Sequence, residues 1–118
     1  MGKITALAAA LVQIADQQGL RTTTPGWKPP YDESRVPVLL REKCERKWPG
    51  DYSMQEACLR NQITGAAELK AIDERYGSQF NKQVETCVEK WTDNGTPDFS
   101  MIAACARNQI ESWHRLNP

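Results

Sequence analysis

The chemistry available to this chain lies first in its four cysteines, Cys44, Cys58, Cys87 and Cys105. An even number of thiols in a short chain suits disulfides, which persist in an oxidising compartment; four cysteines allow three pairings. Two other uses compete. In a reducing cytosol the same residues would be small buried apolar groups. A tetrahedral metal site would need closely spaced ligand pairs, whereas the first two cysteines are 14 positions apart and the last two 18, with His114 the single histidine. Neither a metal ligand set nor a cofactor motif is therefore expected.

Acid–base chemistry has little to work with. His114 follows Trp113 near the end of a helical pattern, where a cation suits the helix C-terminus. Asp51 and Asp98 could be read as paired carboxylates, but each stands just before an apolar-periodic run, the place of a helix cap. Arg60 with Arg107 and Gln62 with Gln109 are polar residues that recur at matched positions; they suit a bridge between helices, a turn or a ligand contact. No phosphate-cradling glycine loop and no nucleophile motif is present. The expectation is a protein without catalytic residues and not an enzyme.

All four cysteines fall on an internal repeat. Residues 44–69 and 87–116 coincide at thirteen positions once four extra residues are allowed after the second tryptophan. The matched residues include Cys44/Cys87, Trp48/Trp91, Asp51/Asp98, Met54/Met101, Cys58/Cys105 and Gln62/Gln109. The elements that must position them read as helices. Leu40, Cys44 and Trp48 recur every four residues, Pro49-Gly50-Asp51 breaks the pattern, and Ser53 with Glu56 forms a capping box. A long helix should follow to Tyr76 and stop at Gly77, with Gly65 inside it as a weak point or a close contact. Phe80, Val84, Cys87, Val88 and Trp91 form the clearest apolar stripe. Residues 93–97 make a longer turn, and Asp98 or Ser100 caps a last helix.

Each cysteine then lies about one helical turn from its helix end, so antiparallel neighbours joined by a short turn bring Cys44 to Cys58 and Cys87 to Cys105. Closing loops of this size removes about 3 kcal/mol of unfolded-state entropy each in the chain-entropy model. That is a useful share of the margin of a small domain, about 5–15 kcal/mol. Trp48 and Trp91 should cover the disulfides, and Met54 and Met101 should fill the gap between hairpins.

Ahead of the repeats, residues 22–35 carry Pro25, Pro29 and Pro30, which favour an extended arm with polyproline II character. Trp27 and Tyr31 are its large anchors, available either to a partner's groove or to the chain's own helices. Ile4, Leu7, Ala8, Leu11, Ile14 and Ala15 fit an amphipathic N-terminal helix; the same alanine-rich run also looks like the front of a signal peptide.

The motif C-x3-W-x2-D-[YF]-x-M-x3-C-x3-Q, met at Cys44, Trp48, Asp51, Tyr52, Met54, Cys58 and Gln62, resembles one in small exported bacterial proteins of unknown function. The second copy, Cys87, Trp91, Asp98, Phe99, Met101, Cys105 and Gln109, departs from it by the longer turn. The resemblance implies a helical, disulfide-closed unit outside the cytoplasm and brings no activity with it.

Fifteen acidic and fifteen basic residues cancel, which argues against a phosphate-backbone binder, and no apolar run approaches the roughly 20 residues that span a bilayer. The expected architecture is all-α. Residues 1–35 form an N-terminal helix and Pro-rich arm, and residues 36–118 form two antiparallel hairpins, 36–77 and 78–118. The expected role is structural or protein-binding. Alternatives are a subunit of a larger assembly, such as a virion or envelope complex, and a small-ligand or metal carrier. The expected location is extracytoplasmic or within a phage particle, the expected partner another protein, and self-association is open.

Overall fold

The computed structural model describes residues 23–118. The N-terminal helix expected at residues 4–15 lies outside them. The described elements run in the order α1 (Val36–Lys47), α2 (Tyr52–Tyr76), α3 (Asn81–Lys90), β1 (Thr92–Asp93), β2 (Thr96–Pro97) and α4 (Phe99–Leu116), with a 3-10 turn at Glu33–Arg35 before α1. The fold is mostly helical rather than all-α, because β1 and β2 pair antiparallel.

That sheet occupies the stretch expected to be a plain turn. Asn94 (φ 50°) and Gly95 (φ 77°) both take left-handed backbone, as a two-residue hairpin connection requires. Thr92 Oγ1 donates to the Val88 carbonyl at 2.6 Å and fixes the first strand to the end of α3. The first turn is tighter: Asp51 N donates to Trp48 O at 3.2 Å around Pro49 and Gly50, with Gly50 at φ 74°.

The two aspartates, not the serines that follow them, cap the helices. Asp51 accepts from Met54 N at 3.1 Å and Asp98 from Met101 N at 3.2 Å. Ser53 instead donates its hydroxyl to Asp51. Neither Ser34 nor Ser78 caps a helix: Asp32 accepts from Ser34 and closes the 3-10 turn, and α3 starts after Phe80 with no side-chain cap.

The core gathers Val36 and Leu40 of α1, Ala66 and Leu69 of α2, Cys87 and Val88 of α3, and Phe99, Ile102, Ala103 and Ala106 of α4. α2 packs most extensively on α4. Their approach is closest at Gly65, where an added Cβ would stand 2.3 Å from the Phe99 carbonyl oxygen. Met54 and Met101, expected to fill a gap between hairpins, are exposed instead, each in the first turn of its helix.

Cys44 is bonded to Cys58, joining α1 to α2, and Cys87 to Cys105, joining α3 to α4, with Cα–Cα distances of 5.7 and 5.8 Å. The two bonds have similar burial: Cys44 and Cys87 are fully buried, and Cys58 and Cys105 are half-buried.

Candidate functional site

Among the described residues, three places bring polar or aromatic groups together. The first is the junction between α2 and the start of α4. Gln62 is buried on α2; its Nε2 donates to Asp98 Oδ1 at 2.9 Å and its Oε1 accepts from Phe99 N at 2.7 Å. Lys43 of α1 places Nζ 3.3 Å from Asp98 Oδ2. Burial pushes the Asp98 carboxyl upward, but the bonds from Gln62 and Met101 and the charge of Lys43 outweigh it and hold the group below the ordinary carboxylate range. Asp98 therefore ties three helices together, and its surroundings suit structural capping rather than proton transfer.

The second is the arm against α3. Thr24 donates twice to the buried Glu85 carboxylate, from N at 2.6 Å and from Oγ1 at 2.8 Å. Trp27 Nε1 donates to Glu89 at 2.8 Å. Tyr31 sets its ring edge-on to Phe99 at 6.0 Å, and burial, helped by the Glu33 charge, raises its hydroxyl pKa well above the usual range. Of the two uses that the sequence leaves to Trp27 and Tyr31, a partner's groove or the chain's own helices, the structure has the second: both pack against the core. The arm is not wholly extended, since Trp27 N bonds Thr24 O around Pro25-Gly26. Glu85 and Glu89 were not legible as arm holders. Their only sequence signal was two acidic residues one helical turn apart, which reads equally well as a solvated face.

The third is an open groove of about 650 Å³ over the Cys44–Cys58 side of the molecule, lined among others by Arg41, Cys44, Glu45, Tyr52, Gln55 and Leu59. Tyr52 is 77% exposed at its rim, whereas Phe99, which aligns with it in sequence, is buried. A smaller hollow of about 260 Å³ lies between α2 and α4, with Tyr76, Arg107 and His114 on its wall. His114 Nε2 stands 3.5 Å from the Tyr76 hydroxyl, and its ring touches Trp113.

The matched polar residues are not in matched settings. Gln62 is buried and bridging; Gln109 is exposed. Arg107 pairs across to Glu68 on α2, while Arg60 pairs with Glu56 one turn away on its own helix. Among the described residues no three His, Cys, Asp or Glu side chains converge on a metal-sized site, and no helix is long and apolar enough to cross a membrane.

Comparison with protein-family models, with curated proteins and with solved structures gives no match.

Proposed function

We propose that the chain is a non-enzymatic interaction module working outside the cytoplasm. It is built from a duplicated helical hairpin, each copy closed by its own disulfide. The first unit is α1 with α2, and the second is α3 with α4. The observation that carries this reading is the pair of equivalent bonds, Cys44–Cys58 and Cys87–Cys105, set in sequence copies that share thirteen positions. Disulfides of this kind persist where thiols are not held reduced. The resemblance to small exported bacterial proteins points the same way.

The duplicated units meet head to tail, and this supports a working surface on the first unit. The second unit offers Val88, Phe99, Ile102, Ala103 and Ala106 to the back of the first and has that face covered. The matched positions in the first unit are Glu45, Tyr52, Gln55, Glu56 and Leu59, and these line the open groove. The face is mixed in polarity, with an exposed aromatic at its edge, which fits a non-obligate protein contact.

Two measurements test this. A photoreactive residue at position 52, but not at the exposed Thr64 position, should give a discrete protein adduct in the native compartment; equal or absent labelling at both contradicts the assignment of the face. Protein recovered without reductant should present no alkylatable thiol, and four alkylatable thiols contradict the extracytoplasmic reading.

A further inference from the structure

We infer that the occupant of the groove is a second copy of this chain, which presents the back of its second unit head to tail. The inference rests on the duplication proposed above.

The template is the junction inside the molecule. The back of the first unit, carrying Gln62, Gly65, Ala66 and Leu69 on α2, covers the front of the second unit. There Gln62 joins the cap Asp98 and the first helical N–H, Phe99 N. The front of the first unit repeats this arrangement, with Asp51 as cap and Tyr52 as first helical residue, on an open surface. The back of the second unit repeats the other half. Gln109 stands at the matched position with the same Asn-Gln-Ile run, and it is exposed. Beside it Trp113 is 40% and Leu116 81% exposed. Among the described residues, one molecule thus leaves a receiver uncovered at one end and a donor uncovered at the other. Such surfaces on one chain make a heterologous contact that propagates from copy to copy.

The donor is bulkier than its template. Ser112 and Trp113 stand where Gly65 and Ala66 do, so a second copy cannot approach as closely as α2 approaches α4. The receiver is correspondingly emptier, with about 650 Å³ of open groove in which the Trp113 ring finds room. Around these anchors Gln109 falls opposite Asp51, but the ionic contacts of the template are not repeated: the counterparts of Lys43–Asp98 and Glu68–Arg107 are Thr86–Asp51 and Arg115–Arg60, the last a like-charge pair. A contact of this composition is weak.

The test uses the full-length oxidised chain in sedimentation equilibrium, with Tyr52→Glu disabling the receiver and Leu116→Lys disabling the donor. Both positions are exposed, and helical circular dichroism checks that each variant folds. The wild-type mass should rise with concentration beyond twice the 13.3 kDa of the chain. Each variant alone should stay at the chain mass. An equimolar mixture should reach twice the chain mass and stop, because it holds one intact receiver and one intact donor. A wild type that stays monomeric at every concentration overturns the inference. So does association that neither substitution weakens, or two variants that do not pair when mixed. A monomer whose thiols remain paired removes the self-association and leaves the duplicated module standing.

Discussion

Gln62 on α2 holds Asp98 at the start of α4 from two sides at once, giving its amide hydrogen to the carboxylate at 2.9 Å and taking the neighbouring Phe99 N–H at 2.7 Å. One side chain thereby completes a helix cap that belongs to a different pair of helices. Replacing it by alanine leaves a buried backbone donor and part of a carboxylate without partners. Gln62→Ala should cost about 1–3 kcal/mol in urea unfolding, since each orphaned buried group carries its desolvation penalty. Gln109→Ala, at the matched but exposed position, should stay within about 0.5 kcal/mol of wild type under conditions where the chain is monomeric. Equal costs at the two sites would contradict the junction.

Gly65 makes a second prediction in which two effects oppose each other. In an exposed helix interior, glycine to alanine gains roughly 1 kcal/mol of helix propensity. Here the added Cβ would stand 2.3 Å from the Phe99 carbonyl oxygen, 2.4 Å from its carbon and 2.7 Å from Ser100 N, all backbone atoms. Backbone cannot swing aside as a side chain can, so α2 and α4 must part, at a cost typical of an overpacked core, about 1–3 kcal/mol or more. Gly65→Ala should therefore lower the melting temperature. A variant as stable as wild type would show that the helices do not touch there.

The pH dependence follows from Asp98. Its carboxyl is held below its unfolded value, so the folded state binds its proton less readily than the unfolded chain does. The associated stability is complete above the unfolded carboxylate value, about 3.9, and drains away as pH falls through the lower folded value. Asp98→Asn should be less stable than wild type at neutral pH. Below about pH 4 its stability should fall less steeply with acid than that of wild type. Parallel acid limbs in the two proteins would contradict the role given to Gln62, Met101 N and Lys43 around this group.

The two disulfides should be worth nearly the same. They close loops of 14 and 18 positions, which the chain-entropy model values almost equally, at about 3 kcal/mol each. Each also has one fully buried cysteine, Cys44 or Cys87, whose removal leaves poorly filled volume. The double variants Cys44→Ala/Cys58→Ala and Cys87→Ala/Cys105→Ala should therefore unfold within about 1 kcal/mol of each other. A much larger loss in one of them would show that the two bonds do not hold equivalent places in the fold.

Local rules made part of this structure legible beforehand. The Cys–Trp and Met–Cys spacings placed each sulfur one turn from a helix end, which was enough to pair Cys44 with Cys58 and Cys87 with Cys105. Asp51 and Asp98 were readable as caps because a carboxylate before an apolar-periodic run has few other uses. The β-hairpin at residues 92–97 was missed even though Asn94-Gly95 is a strong signal for one; two-residue strands carry too little alternation to announce themselves. Methionine burial was misjudged: the closest α2–α4 approach is made by a glycine against backbone, and both methionines stay exposed in the first turn of their helices. The asymmetry between Gln62 and Gln109 could not be read from the Arg-Asn-Gln-Ile run that they share. The signal lay one turn further on, where Gly65-Ala66 permits the close approach that Ser112-Trp113 does not. The arm was half legible: its prolines excluded a helix, but Glu85 and Glu89 carry no mark that separates a latch from a solvated face.

The measurement that bears most directly on the whole is peptide mapping of the four cysteines without reduction. Digestion of the oxidised protein should yield one linked peptide pair containing Cys44 with Cys58 and another containing Cys87 with Cys105. Bonds running from Cys44 or Cys58 to Cys87 or Cys105, or four thiols open to alkylation, would contradict the stapled pairs of helices on which the fold, the junction and the proposed role all rest.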